Sequence, residues 1–338
     1  MKALICTKPG QLEYIEMPEP ERKENHAIVR IRNIGVCGTD LHAFEGTQPF
    51  FSYPRILGHE LSGELIEFDN APGFQKGEHV SFLPYLHCGQ CIACRHGKTN
   101  CCTRLQVCGV HIDGGMADFY SIPSGLLVHA QGLDLTRLAM VEPLAISAHA
   151  VRRAAIQHGE FILVMGAGPI GLGIMEFARL AGAQVIALDI NPGRLTFCKT
   201  KLEIQHVIQG GGEDIVEQLM ELTGGDMPTV VMDATGNRKV INQGLNYLAH
   251  GGRFIIVGLQ KEELFFSHPQ LHKREAAILS SRNATREDFD RVIHCVTNGN
   301  IDPLKFITNR VKFEEVAGRF PDWLNPASHV IKVVVEKD

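Results

Sequence analysis

The sequence predicts an α/β fold in which a doubly wound parallel sheet is inserted into a β-rich domain. Three observations predict it. Residues 144–282 alternate strand-like and helix-like runs, the order that builds a parallel sheet with crossover helices. Residues 1–143 carry instead short β-branched runs separated by Gly- and Pro-rich turns. Residues 283–338 are mixed, end in a strand-like run at 330–335, and are too short to stand alone, so they are expected to return to the first domain.

The bulk properties agree with two domains and exclude several classes. A chain of 338 residues with 44% hydrophobic, 21% charged and 7% aromatic residues is an ordinary globular protein that needs no disulfide staples. Its net charge of -5 gives no electrostatic reason to bind nucleic acid or an anionic membrane. No apolar run approaches the ~20 residues that span a bilayer. Met1-Lys2-Ala3-Leu4-Ile5-Cys6 enters a strand-like run with no cleavage site, so the cytoplasm is the expected location. There the 10 cysteines stay reduced, and clustered ones point to metal or catalysis. Cys6, Cys101, Cys108, Cys198 and Cys295 follow no such pattern, and most of them read as buried, inert thiols.

Taken in order, the first stretch has strand signals at 27–31 and 78–82. The second has them at 161–165, 184–188, 206–208, 229–232, 253–257 and 276–280, with helical stretches such as 170–181 between most of them. Gly166-Ala167-Gly168-Pro169-Ile170-Gly171 follows the first of these strands and opens a helix, and Asp189 closes the next strand. In that context the glycines form a dinucleotide fingerprint. Gly166 permits the tight turn, Gly168 lets the backbone approach a pyrophosphate at the helix N-terminus, and Gly171 lets helix and strand pack closely. Asp189 would accept hydrogen bonds from the adenosine ribose and repel a 2′-phosphate, which favours NAD. Arg194 is the residue that would serve NADP, or else it flanks the adenine. Thr235, Val257 and Gly258 lie at carboxyl ends of strands, where such sheets place ligands, and are read as cofactor contacts or as ordinary strand-to-helix turns.

Cys88, Cys91, Cys94 and Cys102 are spaced C-x2-C-x2-C-x7-C. Thiolates bind Zn²⁺ at ~2.3 Å in a tetrahedral shell, and four of them close a structural site. An iron–sulfur cluster also takes thiolates but has no evident task in a dinucleotide enzyme. Cys101 beside Cys102 leaves the register of the fourth ligand open. Elsewhere Cys37-Gly38-Thr39-Asp40-Leu41-His42, Gly58-His59-Glu60 and Glu142-Pro143-Leu144 supply soft, borderline and hard zinc ligands ahead of the dinucleotide region. Singly, each has a dull explanation. Together they fit an open, catalytic zinc site.

This combination of motifs resembles the zinc-containing medium-chain alcohol and polyol dehydrogenases, and the resemblance covers essentially the whole chain. It implies a Rossmann-type doubly wound domain at 144–282 inserted in a GroES-like catalytic domain formed by 1–143 and 283–338. It implies two zinc ions per chain and NAD, with zinc and nicotinamide in the cleft between the domains. By the family spacing Cys102 completes the structural site. Cys37 and His59 become ligands of the catalytic zinc, and Glu60 a ligand or near-ligand that exchanges with water. Glu142 stands where simple alcohol dehydrogenases have a third cysteine, a departure that resembles sorbitol and sugar-acid dehydrogenases. The resemblance gives Thr39 the substrate proton and His42 its transfer to solvent, unless His42 is only a surface histidine. It makes Asp40 the residue that orients a ligating histidine. Relatives of this kind form homodimers or homotetramers.

For the substrate, residues 48–54, including Phe51, would form one wall of the pocket. The run from Val110 to Gly115, including His111, resembles bacterial members acting on hexonates. Arg282 and Asn283 face the cleft in relatives, and Arg282 would pair with a substrate carboxylate. The expected reaction is oxidation of a secondary hydroxyl in a linear sugar acid such as L-gulonate or L-galactonate. Sorbitol- or galactitol-like polyols and L-threonine are the alternatives. A non-catalytic NAD-binding sensor and a zinc-ribbon nucleic-acid binder are the rivals from other classes; the second is opposed by the acidic charge and the dinucleotide fingerprint.

Overall fold

The strand His26–Val36 organises the first part of the molecule. A computed structural model of the chain describes residues 1–129, 131–325 and 328–337. Along its whole length this strand pairs antiparallel with Glu60–Phe68. On its other side Phe119–Pro123 pairs with its first half and Lys332–Glu336 with its second. Gly35 lies opposite Glu60, and Val333 opposite Val36. Three strand ends separated widely in sequence therefore meet: the one leading into Cys37, the one following His59, and the one starting at Lys332. A mixed seven-stranded sheet results. It belongs to a unit made of Met1–Ala145 and the chain from Ala284 onward.

The strand expected at 27–31 is longer than its apolar run, because Asn33 and Gly35 interrupt the pattern but not the backbone ladder. The strand expected at 330–335 starts later, at Lys332; the Thr308 hydroxyl accepts the Ile331 amide at 3.0 Å, in place of a ladder partner.

The second unit, Ile146–Asn283, holds six parallel strands. They are β1 (Phe161–Met165), β2 (Gln184–Asp189), β3 (His206–Gln209), β4 (Val230–Asp233), β5 (Arg253–Ile256) and β6 (Ala277–Ser280). Their order, β3-β2-β1-β4-β5-β6, reverses direction at β1, as in the doubly wound dinucleotide fold. Strand and helix boundaries fall within a residue of those expected. The helix after β1 is Pro169–Leu180, and its first position suits a proline, whose missing N–H is no loss there. Leu163, Ile186, Val231 and Phe254 belong to one buried cluster on this sheet. Each such side chain is worth about 1.5–3 kcal/mol of transfer free energy. No helix among the described residues is long and apolar enough to cross a membrane.

Glu160, just ahead of β1, pins three strands. It accepts from Arg253 Nη2 at 2.7 and 2.9 Å, from the Thr229 hydroxyl at 2.9 Å and from the Gln157 amide at 2.7 Å. Partial burial alone would raise its pKa, but these donors outweigh burial and hold it below the usual carboxylate value. Glu160→Gln should therefore lower stability by about 1–2 kcal/mol at pH 7. A depressed folded pKa contributes stability that is present above the unfolded value and fades as pH falls through the folded one. The denaturation midpoints of the two proteins should converge as pH falls through and below the usual carboxylate range. A gap that persists unchanged in acid would contradict this role.

Candidate metal centre and dinucleotide loop

Cys37 caps the helix Gly38–Glu45 directly after the strand His26–Val36; His59 precedes the partner strand and Glu60 opens it. One ligand atom from each of Cys37, His59 and Glu60 lies within 4.8 Å of the others. Asp40 ties the two loops together. Its side chain accepts the Cys37 amide at 2.9 Å and the Gly58 amide at 3.1 Å, and Oδ1 faces His59 Nδ1 at 3.8 Å. Gly35 leaves room for Glu60: a Cβ there would stand 2.0 Å from Glu60 Oε2.

The charges are deeply buried. Asp40 is 0%, Glu60 1%, Glu142 1% and Lys332 1% exposed. Lys332 donates to Val36 O at 3.0 Å and forms a short ion pair with Glu60. Tyr85 donates a short hydrogen bond to Glu142 Oε1. Burial pushes Glu142 up to about 7; His59, Tyr85 and Lys332 oppose the shift, and Glu60 adds to it. Burial alone would lower His59, but the Asp40 carboxylate and the Cys37 thiol outweigh it and hold the imidazole well above its ordinary value. Lys332 is likewise raised, because Glu60 and Cys37 outweigh its desolvation.

A thiol, an imidazole and two carboxylates are the donors zinc takes. Glu142 Oε2 and His59 Nδ1 are buried with no hydrogen-bond partner among the described residues. The donor set and these orphaned atoms fit a divalent cation. Glu60 belongs to the tight cluster with Cys37 and His59. Glu142 is not in it, although its carboxylate senses both His59 and Glu60. Tyr85 and Lys332 had no signal in the sequence: each looks like an ordinary strand residue.

The four cysteines converge as well, with their ligand atoms within 4.8 Å of one another. The two-stranded ladder of Tyr85–Leu86 with Gln106–Val107 brings both ends of the lobe together, and the turn Ile92–Arg95 presents the middle sulfurs. Backbone amides point at sulfur: Cys91 N–H to Cys88 at 3.4 Å, and Cys88 and Arg104 N–H to Cys102 at 3.3 Å. Such amides lower Cys88 to about 7 and Cys91 to about 5, favouring the thiolates that bind metal. Cys94 goes the other way, through desolvation and its neighbouring thiols. Cys101 is exposed and outside the cluster.

In the second unit Gly166 has φ +97°, the left-handed region, and a Cβ on Gly171 would meet Gly166 O at 1.8 Å. Gly168 caps the helix and leads into Pro169 and Ile170, and a Cβ on it would meet nothing within 4 Å. Asp189 accepts the Ala167 and Asn191 amides, each at 2.7 Å, with Arg194 3.9 Å away. Each carboxylate oxygen keeps a further lone pair for a ligand. Asp233, buried at the end of β4, accepts the Thr235 amide and hydroxyl, and its carbonyl accepts the Val257 and Gly258 amides. Thr235, Val257 and Gly258 are thus gathered around one carboxyl-terminal residue.

The remaining predicted residues are more scattered. Thr39 is half-buried, whereas His42 turns outward to Thr47 Oγ1 at 3.2 Å and Glu45 at 3.4 Å; no hydrogen bond joins it to Thr39 among the described residues. Phe51 packs edge-on against Tyr53, and Phe50 stacks on His111 at 6.3 Å, so the 48–54 loop does reach His111. His111 also accepts the Val107 amide at 3.1 Å. Arg282 is exposed, and Asn283, in the second unit, carries a buried amide nitrogen with no hydrogen-bond partner among the described residues.

A zinc-type donor set on one unit and a dinucleotide fingerprint on the other define a metal-dependent dehydrogenase. Comparison with known proteins agrees. An alcohol dehydrogenase GroES-like domain matches residues 23–132, and a zinc-binding dehydrogenase domain matches residues 169–298. L-galactonate-5-dehydrogenase of Escherichia coli K12 is 44% identical over 94% of this chain and 93% of its own length. Sorbitol dehydrogenase of Halalkalibacterium halodurans is 31% identical over 93% of this chain and 94% of its own. A crystal structure described as a short chain alcohol dehydrogenase (rspB) from E. coli CFT073, complexed with NADH, superposes with a TM-score of 0.92 at 29% identity, covering 99% of both chains. The chain belongs to the zinc-containing medium-chain alcohol and polyol dehydrogenases. It is an oxidoreductase whose cofactors are zinc and a nicotinamide dinucleotide.

Gly171→Ala tests the dinucleotide loop. The added methyl cannot coexist with Gly166 O, so the turn must open; dinucleotide affinity by calorimetry should fall at least about tenfold, 1.4 kcal/mol. Unchanged affinity would show that the loop does not hold the cofactor.

Proposed function

We propose that the enzyme oxidises a secondary hydroxyl of a linear sugar acid, a hexonate such as L-gulonate or L-galactonate, to the keto acid, with NAD as acceptor. The observation that carries this reading is the 44% identity over 94% of the chain to an L-galactonate-5-dehydrogenase. Glu142, where simple alcohol dehydrogenases have a cysteine, supports a polar, multihydroxyl substrate. The sorbitol dehydrogenase relative favours a neutral polyol as the second reading.

Cys37 and His59 hold the catalytic zinc in this reading, with Glu60 and Glu142 as the carboxylates that bind or exchange beside it. When bound, zinc supplies electron withdrawal from the substrate oxygen, and the nicotinamide accepts the hydride. Asp40 fixes both loops and faces the imidazole, so that His59 keeps one ring orientation. Thr39, two residues beyond Cys37, accepts the hydrogen bond from the substrate hydroxyl, and exposed His42 hands the proton to solvent. Phe51 and His111 line the substrate side, with Asn283. Arg282 pairs with the substrate carboxylate.

Cys88, Cys91, Cys94 and Cys102 hold the structural zinc. Gly166, Gly168, Pro169, Ile170 and Gly171 cradle the pyrophosphate, and Thr235, Val257 and Gly258 contact the cofactor further along. Asp189 accepts from the ribose hydroxyls and disfavours a 2′-phosphate, so NAD is preferred over NADP, with Arg194 flanking the adenine. The protein works in the cytoplasm as a homodimer or homotetramer.

A panel of hexonates, polyols and L-threonine, read by NADH absorbance, tests the substrate. We expect turnover of at least one hexonate, and Arg282→Lys should reduce kcat/KM more for acids than for polyols. Turnover of polyols with none of any hexonate would reject the sugar-acid reading, and equal losses would remove the role given to Arg282.

A further inference from the structure

The two buried carboxylates at the metal centre are held by different kinds of donor. Glu60 is gripped by the Lys332 ammonium, which neutralises its charge where it stands. Glu142 is gripped by a neutral group, the Tyr85 hydroxyl, which brings no charge of its own. Tyr85 is 3% exposed, sits in the short strand Tyr85–Leu86, and its ring is met edge-on by Phe289 at 6.2 Å and 81°. Glu142 lies in the first turn of the helix Val141–Ala154, 1% exposed. Tyr85 occupies Oε1, while Oε2 is buried without a hydrogen-bond donor among the described residues.

A free carboxylate offers a metal two equivalent oxygens. A hydroxyl fixed on one of them removes that equivalence and limits rotation of the group. We propose that Tyr85 is a positioning residue of the metal centre: it clamps Glu142 through Oε1, so that Oε2 alone is offered to the ion. With Glu60 paired to a lysine, the chain sorts its two carboxylates. Glu142 is the pre-oriented, single-oxygen ligand, and Glu60 is the one that Lys332 can hold back. Outer hydrogen bonds of this kind typically govern ligand orientation and metal affinity by 10–100-fold. The chain leaving the strand Tyr85–Leu86 reaches Cys88 two residues later, so one short segment leads to both metal-ligand groups. This inference rests on the zinc reading of the Cys37–His59 cluster.

The test uses full-length protein, wild type against Tyr85→Phe, Glu142→Gln and the double variant. Zinc affinity is read by chelator competition, and the Co²⁺-loaded proteins are compared by their visible d–d absorption. Phe keeps the ring against Phe289 and removes only the hydroxyl. We expect Tyr85→Phe to weaken one of two zinc ions about 10–100-fold and to shift the cobalt band, with the second ion unaffected. Glu142→Gln should change the same ion in the same direction, and the double variant should add little, because both remove one interaction. If wild-type protein holds only one zinc, the underlying zinc reading fails. If it holds two and Tyr85→Phe keeps wild-type affinity and band, that reading stands and the clamp is refuted. Should Tyr85→Phe not fold, Glu142→Gln decides alone, and a wild-type affinity and cobalt spectrum would overturn the proposal.

Discussion

Buried charge of both signs, packed within a few ångströms, is the constraint around which the first unit is built. Asp40, Glu60, Glu142 and Lys332 are all at most 1% exposed. Each buried ion carries a desolvation penalty of several kcal/mol unless partners replace the lost water. Asp40 finds backbone amides, Glu60 finds Lys332 and Glu142 finds Tyr85, yet the cluster still holds a thiol, an imidazole and an unfilled carboxylate oxygen. The rise of Glu142 to about 7 expresses that imbalance. A divalent cation is the partner that such a donor set fits.

Sheet register is the means by which this cluster is assembled. Cys37 directly follows one strand, Glu60 begins its neighbour and Lys332 begins the next, so backbone pairing brings three reactive side chains to one end of one sheet. Gly35 then completes the fit by leaving the volume that the Glu60 carboxylate fills. The second unit solves a simpler problem. Its loop needs backbone amides and no side chains, and Gly166 and Gly171 are there because close approach admits nothing larger.

Features encoded locally were legible in the sequence. The glycine fingerprint, the four-cysteine spacing and the six strands of the parallel sheet each lie in short windows, where turn chemistry and periodicity speak directly. Long-range partners were not. Lys332 and Glu60 are 272 residues apart, and Tyr85 and Glu142 are 57 apart. Neither Lys332 nor Tyr85 differs in its neighbourhood from a routine strand residue, and only the tertiary pairing gives it meaning. The transfer from Thr39 to His42 came from the resemblance alone, and among the described residues His42 faces Thr47 and Glu45 on the outer side of its helix.

The most direct test of the account is anomalous X-ray scattering at the zinc edge from crystals of the purified enzyme grown with NADH. The account predicts two peaks per chain, one among Cys88, Cys91, Cys94 and Cys102 and the other within bonding distance of Cys37 and His59. A single peak, confined to the four-cysteine lobe of fully metallated protein, would contradict it.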